Sequence, residues 1–238
     1  MSDKTVSSAT HSAKIAENLR LIHQQIEAYC QRYQRSSQEV SLLAVSKTKP
    51  SSDIRAAYNA GQHSFAENYL QEALEKIDEL SDLDIEWHFI GAIQSNKTRE
   101  LASHFHWVHS VDRLKIARRL SEQRPESLPE LNICLQINIS HESSKSGTDI
   151  QQLPGLVEDI MKLPRIKLRG LMAIPAKADT LAEQRAVFAQ MKNLLQQLQQ
   201  IHPDLDTLSM GMSNDLEAAI AEGSTLLRIG TAIFGART

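Results

Sequence analysis

Ser41-Leu42-Leu43-Ala44-Val45-Ser46-Lys47-Thr48-Lys49-Pro50 and, far along the chain, Leu226-Leu227-Arg228-Ile229-Gly230-Thr231 are short apolar runs that each finish in polar or glycine residues. Runs of this length, rich in Leu, Val and Ile and closed by a turn signal, read as strands buried on both faces. Between them the pattern recurs at 64–68, 86–91, 107–111, 132–138, 166–174 and 207–211, and each run is separated from the next by a plausible helix. The longest separator carries Val187, Phe188, Met191, Leu194, Leu195, Leu198 and Ile201 on one stripe, which makes it an amphipathic helix. Eight strand-helix units between Ser41 and Thr231 leave about 24 residues each, as in an α/β fold built as a single TIM (β/α)8 barrel. An open doubly wound sheet with one or two false strands is the alternative architecture.

Ahead of the first strand, Ile15, Leu19, Ile22, Ile26 and Cys30 recur at helical spacing and predict an extra N-terminal helix over about 12–34. Residues 1–11 are then expected to be a flexible terminus, and 12–238 one barrel domain. Pro125, Pro129, Pro175 and Pro203 fall in connections, where they stop helices instead of breaking strands.

Twenty-six basic against 29 acidic residues give a formal charge of -3, so no long-range field draws in nucleic acid or an anionic membrane. The opening residues lack the apolar core of a signal peptide, and no later run approaches a membrane span. A cytoplasmic protein is expected. Cys30 and Cys134 are too few for a disulfide framework or a cysteine metal site, and read as core filler.

Period-two alternation puts Leu43, Val45 and Lys47 on one side of the first strand, with Lys47 at its C-terminal end. A lysine half-buried at a barrel mouth loses some of its preference for the charged form, which frees amine to attack an aldehyde. Taken alone, a lysine at a strand end is usually just solvated. Lys49 shares the phase but precedes Pro50, which marks the turn, so Lys47 is preferred. Ser209-Met210-Gly211-Met212-Ser213-Asn214-Asp215 runs from a strand into a helix, with Ser213 expected near the cap, a place suited to phosphate and equally to an ordinary N-cap. Gly230 and Thr231 add close backbone approach and a hydroxyl after the eighth strand, and together the two loops form the phosphate site typical of barrels. Arg228, in phase with Gly230, offers a permanently charged donor to a heterocycle nitrogen, or else a salt bridge at the mouth.

Asn68, at the end of the second strand, is suited to a ring hydroxyl, and His88 in Trp87-His88-Phe89-Ile90 is given a lining role only. His104, His106 and His109 lack a surrounding carboxylate ligand pattern, so no metal site is expected. Lys145, in the loop after strand five, is exposed or a secondary anion contact.

Taken together, these residues resemble the pyridoxal phosphate homeostasis protein family, of the alanine-racemase N-terminal-domain type, from Leu42 to Gly235. The most specific stretch is Trp87-His88-Phe89-Ile90-Gly91-Ala92-Ile93-Gln94-Ser95-Asn96-Lys97. It is supported by Glu67-Asn68-Tyr69, His109-Ser110-Val111-Asp112, Gly170-Leu171-Met172, Ser209-Met210-Gly211-Met212-Ser213 and Arg228-Ile229-Gly230-Thr231. The resemblance implies a fold-type III barrel holding pyridoxal 5'-phosphate as a Schiff base on Lys47. Phosphate contacts are implied at Ser213, Gly230 and Thr231, with Met210 alongside and Arg228 near the pyridine nitrogen. Ala66 stands where the family usually has glycine, a change that could tighten that loop.

Racemases and decarboxylases of this barrel class resemble the chain as well, but in them a further C-terminal domain builds the dimer and, in the racemases, brings a tyrosine to the second face of the cofactor. This chain stops seven residues after Thr231, and its tyrosines are Tyr29, Tyr33, Tyr58 and Tyr69. Two-base racemisation needs proton donors on both faces. The expectation is therefore a monomeric carrier or buffer of pyridoxal phosphate, serving vitamin B6 homeostasis and apo-enzymes that use the cofactor, without efficient turnover. A monomeric racemase or lyase using His88 or a loop residue as second base is the alternative, and a phosphate-binding barrel without pyridoxal is a third.

Overall fold

The apolar runs pair in parallel, each with the next. In the computed structural model, which describes residues 2–140 and 146–236 and side chains from Thr10 onward, they close into a barrel in the order β1 to β8. The strands are β1 (Ser41–Val45), β2 (Ser64–Glu67), β3 (Glu86–Phe89), β4 (Trp107–Val111), β5 (Leu131–Gln136), β6 (Ile166–Met172), β7 (Thr207–Ser209) and β8 (Leu226–Ile229). Closure comes from β1 against β8, with Leu43 opposite Arg228 and Ala44 opposite Ile229. The open-sheet alternative is thereby excluded.

Most of the expected strands run past the observed ones at the C-terminal end. The extra residues, Ser46 and Lys47, Asn68, Ile90 and Gly91, Met210 and Gly211, Gly230 and Thr231, follow the last strand residue at that end. In a barrel that face carries the binding loops.

The helices are α1 (Ser2–Arg32), α2 (Ser51–Asn59), α3 (Leu70–Glu79), α4 (Thr98–His104), α5 (Leu114–Gln123), α6 (Leu153–Ile160), α7 (Leu181–Gln199), α8 (Leu216–Ala221) and α9 (Thr231–Phe234). The main core lies between them and the outside of the sheet; Phe65, Trp87, Phe89, Leu208 and Met210 point into it. Thr180 and Glu183 close a reciprocal capping box at the start of α7, an arrangement that stabilises a helix start by about 1 kcal/mol.

The first helix differs from expectation at its start. α1 begins at Ser2, ahead of the apolar stripe, because no glycine or proline interrupts 2–32. His11, assigned to a flexible terminus, has its Nε2 3.0 Å from Asp53 Oδ1 on α2. The stripe from Ile15 to Cys30 is buried in the main core. Asn18 Nδ2 donates to Ile233 O at 2.8 Å, and Arg35 donates to Ile220 O and Ser224 O, so this helix and the turn after it clasp the first and last units across the closing seam. Among the described residues no helix is long and apolar enough to cross a membrane.

Candidate functional site

A cavity of about 510 Å³ opens at the C-terminal mouth, walled by Val45, Lys47, Asn68, Ile90, Ile174, Met212, Ser213, Asn214, Arg228, Gly230, Thr231 and Ala232. This is the volume of a small-molecule site, apolar with a few converging polar groups. Lys47, Asn68, Ser213, Arg228, Gly230 and Thr231 are thus brought together from the ends of four strands, β1, β2, β7 and β8. Lys49 is not on the wall; its Nζ donates to Ala236 O at 2.8 Å.

Lys47 is aimed by what holds its neighbours. The chain turns at Ser46–Lys49, closed by Lys49 N–H on Ser46 O, with Thr48 at φ 62°. A β-branched residue in the left-handed region is strained by about 1 kcal/mol or more. Glu72 on α3 offsets this by accepting the Thr48 N–H at 2.6 Å. On the other side, Ser46 Oγ donates to Glu67 Oε1 at 2.7 Å. Lys76 Nζ ties the two together, donating to Ser46 O, Glu67 Oε1 and Glu72 Oε1 at 2.8, 2.7 and 2.6 Å. Glu67 is 0 % exposed and Lys76 5 %, so this is a buried ion pair under the lysine turn. Burial pushes the Glu67 carboxyl up, and the Lys76 charge pulls it back down.

Across the cavity, Arg228 is fixed by backbone and hydroxyl oxygens. Its Nη1 donates to Ser209 O and Oγ at 2.6 and 2.8 Å, and its Nη2 to Ala173 O at 2.8 Å. Burial lowers its pKa to about 10, so it remains a cation at neutral pH. At the end of β8, Gly230 leaves room that a side chain would take, since a Cβ there would meet Val45 O at 3.0 Å. Asn68 Oδ1 is buried with no hydrogen-bond partner among the described residues.

Three expectations shift. His88 lies beneath the cavity, 1 % exposed; Ile90, just past the end of its strand, forms the wall instead. Met210 points away from the mouth into the core beneath the helices, because Ser209, the residue before it, takes the inward phase. Asp215, not Ser213, holds the cap position of α8, while Ser213 sits exposed on the loop before it. Ala66 is buried inside the barrel with Leu43, Val45 and Leu226. The three neighbouring histidines diverge: His104 is on the outside of α4, His106 accepts the Trp87 N–H, and His109 is within the barrel. Lys145 lies outside the described residues.

The clamp of Glu67, Glu72 and Lys76 escaped the sequence reading. Glu72 and Lys76 at i and i+4 look like an ordinary surface pair. Only Glu67, next to Asn68 at the end of an apolar strand, hinted at a buried charge in need of a partner.

Comparison with known proteins gives the family of this fold. The family model described as alanine racemase, N-terminal domain, matches residues 14–238, and the chain belongs to that family. Within it, the chain is one of the pyridoxal phosphate homeostasis proteins. It is 59 % identical to the one from Pseudomonas aeruginosa over 223 residues, covering 94 % of this chain and 96 % of the relative. It is 53 % identical to that of Escherichia coli over 226 residues, covering 94 % and 97 %. PipY of Synechococcus elongatus, solved with pyridoxal phosphate bound, is 41 % identical with a TM-score of 0.82, covering 93 % of this chain and all of that one. Alanine racemase from Corynebacterium glutamicum is similar in fold alone, at 16 % identity and a TM-score of 0.72, with 60 % of its chain covered.

Proposed function

We propose that this chain binds pyridoxal 5'-phosphate at the barrel mouth and holds or delivers it within the cytoplasm, as a monomer, without turning over an amino acid. When bound, that cofactor supplies an aldehyde that links reversibly to an amine. Lys47 is the amine. Asn68, with its unpartnered buried oxygen, accepts from the ring hydroxyl. Arg228 faces the ring nitrogen, and the Ser213 hydroxyl with the backbone and hydroxyl of Gly230 and Thr231 receives the phosphate. The observation that carries this reading is the convergence of an amine, a fixed cation and a glycine-serine-threonine cradle on one cavity wall. The relatives named above for pyridoxal phosphate homeostasis support it. Among the described residues on the wall, the titratable side chains are Lys47 and Arg228. One acceptor of protons on one face supports retention over two-base turnover. Two buried thiols, Cys30 and Cys134, suit a reducing compartment.

Incubation with pyridoxal phosphate followed by gel filtration tests the binding. The protein is expected to elute as one chain with a visible absorbance band, which Lys47→Ala abolishes and Lys49→Ala retains. Loss of the band with Lys49→Ala alone would move the attachment. Rapid, Lys47-dependent entry of solvent deuterium at the α-carbon of amino acids would refute the carrier reading.

A further inference from the structure

A line of polar side chains runs down the barrel interior from the N-terminal mouth to the cavity. Glu86 Oε2 lies 2.9 Å from His88 Nε2, His88 Nδ1 2.9 Å from His109 Nε2, and His109 Nδ1 2.9 Å from Ser209 Oγ, which accepts from Arg228 Nη1 at 2.8 Å. Apolar side chains wrap it: Leu43, Val45, Ala66 and Leu226 form one apolar group in the barrel, Trp107, Cys134 and Met172 another. Trp107 stacks on His88 with an interplanar angle of 7°.

The line has one consistent direction. Glu86 also accepts from Ser64 Oγ and Trp107 Nε1 and is held ionised, at a pKa of about 2, mainly by the hydrogen bond of His88. A carboxylate only accepts, so His88 carries its proton on Nε2. Burial keeps both imidazoles below their ordinary value, hence neutral, which leaves His88 Nδ1 bare. His109 must then donate from Nε2 and accept at Nδ1, from the Ser209 hydroxyl. That hydroxyl keeps its lone pairs for Arg228, whose guanidinium has no acceptor of its own.

We propose that His88 and His109 are positioning residues: through Ser209 they lock Arg228 with Nη1 and Nη2 turned to the strands and Nε as the N–H left for the ring nitrogen of a bound cofactor. Arg228 Nε makes no hydrogen bond among the described residues, and the residue lines the cavity. This rests on the cofactor reading above. It extends that reading to side chains that cannot touch the ligand.

Two measurements on the full chain test it. In the ligand-free protein at pH 7, imidazole nitrogen NMR is expected to show both His88 and His109 protonated on Nε2 alone. A ring protonated on Nδ1, or on both nitrogens, overturns the chain. In binding assays, His109→Leu and Ser209→Ala are each expected to weaken pyridoxal phosphate about tenfold, the effect of weakening one hydrogen bond to a charged group. Both are expected to leave an analogue with C–H in place of the ring nitrogen within about twofold. Equal losses for the two probes indicate general loosening of the pocket and overturn the proposal. Ser209→Ala deletes only an oxygen, so it carries the comparison if His109→Leu fails to fold. Failure of the unmutated protein to retain pyridoxal phosphate sinks the cofactor reading, and with it the ligand half of the proposal, whatever the histidine spectra show.

Discussion

Lys76→Met removes the cation beneath the lysine turn while preserving most of the side chain's apolar length. It deletes three hydrogen bonds, to Ser46 O, Glu67 Oε1 and Glu72 Oε1, and leaves Glu67, 0 % exposed, with only Ser46 on a carboxylate whose other oxygen has no partner among the described residues. Breaking a buried pair from one side costs about 3–5 kcal/mol. For a domain of this size that is a fall in Tm of roughly 6–20 °C. The deficit depends on pH in a definite sense. Burial already raises Glu67 above its ordinary 4.5, and loss of Lys76 raises it further. Below about pH 4.5 the carboxyl is neutral folded and unfolded, so its part of the penalty vanishes; it grows as pH rises through the folded-state value. Thermal unfolding at pH 5 and pH 8 is the assay, with the larger deficit expected at pH 8. Glu67→Gln added to Lys76→Met should recover much of it. A Lys76→Met protein within about 1 kcal/mol of its parent at pH 8, or one with equal deficits at both pH values, refutes the buried-pair argument.

Glu86 has the opposite sign: held near 2, its contribution is whole above about pH 4.5 and is lost as pH falls towards 2, so acid unfolding should be shallower in Glu86→Gln. In Gly91→Ala the new Cβ would meet Asn68 O at 2.0 Å, which is backbone; separating the ends of β2 and β3 should cost about 1–3 kcal/mol in denaturant titration. Cys134, 0 % exposed and pushed up to about 12 by burial, and Cys30, raised by the same cause, should both ignore a thiol reagent at pH 8 until the protein is unfolded.

The barrel was legible because the alternation of short apolar runs with helical stripes has few other solutions. The shared placement of Lys47, Arg228, Gly230 and Thr231 on one cavity wall was legible because they break apolar strands at their C-terminal ends, the face where a barrel carries its binding loops. What the sequence concealed was direction. A strand buried on both faces gives no hydropathy contrast between barrel interior and helical shell. His88 and Met210 therefore looked like candidates for the pocket, although one lies below it and the other behind the sheet. Ser213 lies on the cavity wall near the cap, and Asp215, two residues on, took the cap itself. The Glu67–Lys76 pair required knowing which face of α3 turns inward.

The clasp of α1 on both ends of the barrel bears on synthesis at the ribosome. Asn18 and its acceptor Ile233 are 215 positions apart. A nascent chain must therefore present the stripe of Ile15, Leu19, Ile22 and Ile26 long before the last unit emerges to cover it. Contacts of such separation form late and slowly, and exposed apolar surface in the interval invites aggregation. Overproduction without chaperones should fail at this helix first.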